Sequence, residues 1–124
     1  MRPDSLLVAI EMNEEFVAFL KHQFHDPRLY VLQGSAAEVS HMMRDLQLDC
    51  ADYIISGIPY STMPIALRNN ILRESRRVLR PEGAFIIYQF SNAVLPHLQA
   101  HFASIRQEFE PRNVLPARLF YCMK

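Results

Sequence analysis

Apolar positions along this chain alternate between short continuous runs and stripes at helical spacing. Ser5–Met12 (SLLVAIEM) is a near-continuous apolar run ending in an acid, the pattern of a parallel strand covered on both faces. Asn13 can cap a helix whose first turn carries Glu14 and Glu15. Phe16, Phe19, Leu20 and Phe24 then recur on one side of that helix, and Asp26-Pro27 ends it. Leu29–Gln33 predicts a second strand closed by Gly34. Ala36–Leu46 predicts a helix with Val39, Met42, Met43 and Leu46 inward, and Ala51–Ser56 a third strand running into Gly57–Met63.

The second half repeats the alternation. A helix from Pro64 to about Leu79 places Leu67, Ile71, Leu72, Val78 and Leu79 on one side and Arg68, Arg73, Arg76, Arg77 and Arg80 on the other. A turn at Arg80–Gly83 leads into the strand Ala84–Phe90, and a short helix covers roughly Ala93–Ala103. Ile105–Glu110 and Ala117–Met123 read as an antiparallel pair joined across Pro111–Pro116. Strand and helix in this order predict a parallel α/β sheet, which takes ligands beyond the carboxyl ends of its strands. Those ends are Glu11-Met12, Gly34-Ser35-Ala36, Ser56–Tyr60 and Phe90-Ser91-Asn92.

Composition narrows the classes. At 124 residues, half of them hydrophobic, the chain is expected to be one globular domain spanning 1–124. Thirteen basic and thirteen acidic side chains cancel, so no overall field draws in nucleic acid or an anionic membrane. The apolar runs are too short to span a bilayer, and Met1–Ser5 lacks the pattern of a signal peptide. Cys50 and Cys122, taken as small core residues, fit a reducing cytoplasm better than a disulfide scaffold.

Three strand ends carry candidate chemistry. Glu11 offers two carboxylate oxygens, which suit the vicinal hydroxyls of an adenosine ribose; equally, it can serve as an acid at a helix start. Gly34 lets backbone approach a flat ligand and Ser35 can bond the edge of an adenine, or Ser35 can simply cap the next helix. Ser56-Gly57-Ile58-Pro59-Tyr60 is expected to be a stiff loop of exposed carbonyls beside an aromatic ring, able to hold an amine; the alternative is an ordinary turn. His97 and His101 stand four apart without acidic or thiol partners, so a metal site is not expected.

The segments VAIEMNEEF, QGSA, DYIISGIPYSTMP and ILRESRRVLRPEGAFIIYQFS, taken in order, resemble class I methyltransferases. Among these the chain is most similar to the bacterial phospholipid N-methyltransferases, related to the ribosomal RNA adenine dimethylases, and Phe109–Arg118 resembles the closing strands of the phospholipid group. The resemblance implies a Rossmann-like three-layer α/β/α sheet with S-adenosyl-L-methionine as cofactor. It implies Glu11 on the ribose, Met12 against the adenine, Ser35 and Ala36 at the adenine edge, and Ser56, Gly57, Ile58, Pro59 and Tyr60 beside the transferable methyl group. Gly57 stands where the adenine dimethylases have an Asn. The implied acceptor is therefore a lipid amine such as phosphatidylethanolamine, with peripheral membrane contact at the cytoplasmic face. The rival readings are an RNA or DNA adenine N6-methyltransferase and an inactive fragment or interaction module.

One departure stands out. The family grips the methionine half of its cofactor with a glycine-rich loop about 20 residues before the ribose acid. Only ten residues precede Glu11 here, and Gly34, Gly57 and Gly83 are the chain's glycines. The first strand and its loop are thus expected to be missing. Since that strand sits mid-sheet, Ser5–Met12 should be separated from Ala51–Ser56, leaving unpaired edges and a tendency to self-associate.

Overall fold

The computed structural model describes residues 1–112 and 117–124. Six strands and four α-helices follow one another as β1 (Leu7–Glu11), α1 (Glu14–Gln23), β2 (Leu29–Gln33), α2 (Val39–Asp45), β3 (Ala51–Ser56), α3 (Ile65–Val78), β4 (Leu79–Gln89), α4 (Leu95–His101), β5 (Ser104–Glu110) and β6 (Ala117–Met123). A 3-10 turn over Ala36–Glu38 opens α2. The link between β5 and β6, expected across Pro111–Pro116, falls partly outside the described residues.

The sheet is divided. β1 and β2 form a parallel pair, and β3-β4-β6-β5 form a separate four-stranded sheet with β3 parallel to β4 and β6 antiparallel to both β4 and β5. β1 and β3 are not paired with each other, which is the separation expected from the sequence.

Helices settle which faces are covered. α3 and α4 pack together on one face of the larger sheet, and the 3-10 turn and α2 pack against α3, with Ser40 Oγ donating to Glu74. α1 packs on β1 and β2.

The core lies between the larger sheet and α3 and α4. Phe85, Ile87, Phe120, Leu72 and Leu98 have no solvent exposure, and the Phe85 and Phe102 rings lie 5.3 Å apart. The α3 face that enters this core consists of Arg68, Ile71, Leu72, Ser75 and Val78. Arg68, expected on the outer side, is therefore buried, and Leu67, expected inward, is exposed. The i, i+3, i+4, i+7 spacing through Ile71 and Leu72 carries position 68 inward whatever side chain it holds. Arg80 belongs to β4 and pairs with Asp52 at 2.9 Å.

The expected turn at Arg80–Gly83 lies within β4. While β3 advances from Ala51 to Tyr53, β4 advances from Leu79 to Ala84, so the extra residues bulge from the ladder. Gly83 is required there, because a Cβ would lie 2.7 Å from the Asp52 carbonyl oxygen.

Two further expectations change. Cys122 is buried, and burial pushes its thiol up to about 12, but Cys50 is exposed. The α1 stripe is present but uncovered: Val17 is the helix's buried residue, while Phe16, Phe19 and Phe24 are exposed.

Candidate functional site

The strand ends of the small sheet form the first part. Glu11 closes β1, and its carbonyl accepts from the Gly34 amide at 3.0 Å, joining the ends of β1 and β2. Gly34 has a φ of +154°, a conformation that favours glycine, while a Cβ there would meet the movable end of the Met42 side chain. The Glu11 Oε1 atom accepts from the Asn13 amide at 2.9 Å. Asn13 in turn caps α1, its Oδ1 accepting from Glu15 at 2.9 Å and Phe16 at 3.2 Å. Glu11 thus serves the helix start with one oxygen, leaving Oε2 outside that bond. Ser35 Oγ accepts from the Ala37 amide at 3.1 Å, which is the capping role, and its hydroxyl proton remains able to donate. Ala36 is half-buried against the core, and Met12 is exposed.

The loop after β3 is built differently. Ser56 is buried and its Oγ lies 2.6 Å from the Tyr60 hydroxyl. Tyr60 has no exposure at all, so the expected open aromatic face is instead a core side chain. Burial pushes its phenol up to about 12, the Ser56 hydrogen bond opposing in part, so it remains protonated at neutral pH. Nor are the loop carbonyls all open. Ile58 O accepts from Gln89 Nε2 at 2.7 Å and from the Tyr60 amide at 2.9 Å, while Pro59 O accepts from the Thr62 hydroxyl at 3.1 Å. The Gly57 carbonyl takes none of these bonds. A Cβ on Gly57 would meet nothing within 4 Å, so the backbone does not demand glycine there.

Gln89 was not among the expected site residues. It is buried at the end of β4 and braces the loop through Ile58. Its signal was present: a single amide closing the apolar run of β4 must find a partner when buried.

These elements make two groups. Glu11, Gly34 and Ser35 are joined through backbone, and Ser56–Tyr60 with Gln89 through side chains. Among the described residues, no strand pairing links the two groups. His97 and His101 lie elsewhere, on α4, and no set of three metal-ligating side chains occurs among the described residues. Burial and then Arg68 lower the His97 pKa, and burial with Arg73, Arg76 and His97 lowers that of His101. A hollow of about 560 Å³ lined by Arg73, Arg76, Arg77, Ala100, His101 and Lys124 sits where α3 ends, before β4 begins. That is the end of the sheet opposite the candidate residues.

A methyltransferase domain family matches residues 2–87, and the chain belongs to it. The ornithine lipid N-methyltransferase of Singulisphaera acidiphila is 25% identical over 124 residues, covering 98% of this chain and 65% of that protein. The chain thus spans about two-thirds of the length of this relative. Among solved structures, precorrin-6y C5,15-methyltransferase from Geobacter metallireducens superposes with a TM-score of 0.69 at 15% identity, over 98% of this chain and 69% of that one. An rRNA methylase from Streptococcus thermophilus gives 0.70 at 10% identity, over 95% and 73%. The fold is therefore the Rossmann-like one of class I methyltransferases, whose cofactor is S-adenosylmethionine. No helix among the described residues is long and apolar enough to cross a membrane.

The residues present fit one half of that cofactor. Glu11 has an oxygen to offer a ribose hydroxyl, and Ser35 can donate to a base edge.

Proposed function

We propose that this chain is the adenosine-binding and acceptor-binding portion of an S-adenosylmethionine-dependent N-methyltransferase whose acceptor is a lipid amine. The observation that carries this reading is the match to an ornithine lipid N-methyltransferase across 98% of the chain. Gly57 supports it, because a loop without an Asn side chain at this position offers an acceptor amine backbone carbonyl instead. A lipid acceptor brings with it peripheral contact with a membrane surface.

The cofactor, when bound, supplies an already activated methyl group, so the protein's tasks are placement and exclusion of water. Glu11 Oε2 accepts from the ribose and Ser35 donates to the adenine edge. The Gly57 carbonyl accepts an amine N–H and orients the nitrogen lone pair along the line of attack. The loop is held by the Ser56–Tyr60 pair and by Gln89. Tyr60 keeps its proton up to about pH 12 and is buried, so it is not the base. The amine's proton leaves to water.

The test is transfer of a tritiated methyl group from S-adenosylmethionine to vesicles containing ornithine lipid or phosphatidylethanolamine, with an RNA transcript in parallel. Label in the lipid is expected. Label in RNA alone overturns the acceptor class, and no label in either overturns catalysis by this chain.

A further inference from the structure

The structure assigns a second binding site to the hollow between the C-terminal turns of α3 and α4, with a phosphate group as its ligand. Charge is the first reason. The hollow of about 560 Å³ is lined by Arg73, Arg76 and Arg77 from α3, Ala100 and His101 from α4, and Lys124 beyond β6. None of these is acidic. The chain as a whole is neutral, with thirteen basic and thirteen acidic side chains, so the total conceals a local concentration.

Second, what could neutralise these cations falls short. Glu74 is the carboxylate that reaches them, its Oε1 lying 3.8 Å from Arg73 Nε and 3.9 Å from Arg77 Nη1. One charge is thus shared at long range between two arginines, and Oε2 accepts from the Ser40 hydroxyl. Arg76 makes no ion pair among the described residues. Lys124 Nζ donates to the carbonyls of Leu79 at 2.9 Å and Arg77 at 3.4 Å, where α3 gives way to β4. The carbonyl end of a helix is worth about half a negative charge, so the four cations keep an excess above about two. A phosphate monoester carries about −1.5 to −2 at neutral pH, whereas a simple carboxylate carries a single charge. The arginine fork also pairs with two phosphate oxygens at once.

Third, the hollow stands apart from the methyl-transfer residues. Leu79, which Lys124 holds, pairs with Ala51 at the start of β3, while Ser56 pairs with Ile87 at the other end. Five residue steps along β3 separate those ends by about 16 Å. The inference therefore does not rest on the methyl-transfer reading. His101 reports on the hollow directly. Burial lowers its pKa, and Arg73, Arg76 and His97 lower it further. A dianion held among the arginines reverses their effect and raises it.

The probe is inorganic pyrophosphate, titrated calorimetrically into the 124-residue chain with acetate as the comparison. One pyrophosphate is expected to bind, at least about tenfold tighter than acetate, and to raise the His101 midpoint followed by NMR. Arg73→Ala and Arg76→Ala, at exposed positions, should each weaken binding about threefold or more. Ala100→Glu puts a carboxylate into the hollow and should weaken it about tenfold. Arg44→Ala, an equal loss of charge on α2, should leave it unchanged. Phosphatidylcholine vesicles containing phosphatidic acid distinguish the source of the phosphate. Co-sedimentation that pyrophosphate displaces identifies a lipid phosphate, and pyrophosphate binding without co-sedimentation identifies a soluble one; both uphold the site. Absence of pyrophosphate binding at millimolar concentration overturns it, as does equal affinity for acetate. So does a loss in Arg44→Ala that matches the loss in Arg76→Ala, or a His101 midpoint that stays put when pyrophosphate binds. None of these readouts involves S-adenosylmethionine or methyl transfer.

Discussion

The two sheets of this molecule hold themselves together very differently. The β3-β4-β6-β5 sheet owns a core: Phe85, Ile87 and Phe120 are sealed under α3 and α4. The β1-β2 pair has one helix, α1, with Val17 buried, and is tied to the rest through the 3-10 turn and α2 against α3. The candidate residues are split along the same line. The loop proposed to hold the acceptor follows β3 of the larger sheet and is braced by the Ser56–Tyr60 and Gln89 hydrogen bonds, whereas Glu11 and Ser35 stand on the β1-β2 pair. The residues proposed to hold the nucleoside thus stand on the pair with the smaller share of the buried core.

That contrast predicts unequal responses to mutation. Phe120→Ala removes a fully buried ring and should cost about 3–5 kcal/mol, whereas Phe16→Ala on α1 should change stability by less than about 0.5 kcal/mol. Denaturant melts of the two variants check this, and equal losses would erase the distinction between the sheets.

The next largest effect is in alkali. Tyr60 in the folded chain ionises at about 12 against an ordinary value near 10, because burial disfavours the phenolate. The folded state therefore holds this proton more tightly than the unfolded chain. Its contribution is whole below pH 10 and is lost as pH rises through 12, by about 3 kcal/mol in all. Melts across this range should show the decline, and Tyr60→Phe should abolish that part of it. On the β1-β2 pair, Glu11→Gln should weaken adenosine binding about tenfold in calorimetry without altering the melt of the larger sheet. The smallest of the four is Asn13→Ala, which removes the α1 cap and should cost about 1 kcal/mol, read as faster hydrogen exchange confined to α1.

How far the sequence foretold this structure follows the same division. β2, β3 and β6 fall where their apolar runs and turn residues place them, and Asn13 caps α1 as its position suggested. The separation of β1 from β3 also agrees with what the sequence led us to expect. What escaped depended on partners that lie far away in sequence. The Phe16, Phe19 and Phe24 stripe has the right period for burial, yet nothing in the period says what covers it. Tyr60 looked like an exposed loop tip because Pro59 precedes it, and its burial follows from packing against the core that includes Ile87 and Phe120. Arg68 is inside because spacing outranked polarity. Gln89 gained its role from Ile58, thirty-one positions earlier in the chain.

The most direct test of the account compares two ligands on one chain. Calorimetric titration with adenosine and with S-adenosylhomocysteine should give affinities within about threefold of each other, because the contacts proposed for Glu11 and Ser35 are all to the nucleoside. S-adenosylhomocysteine binding more than about tenfold tighter than adenosine would contradict that claim.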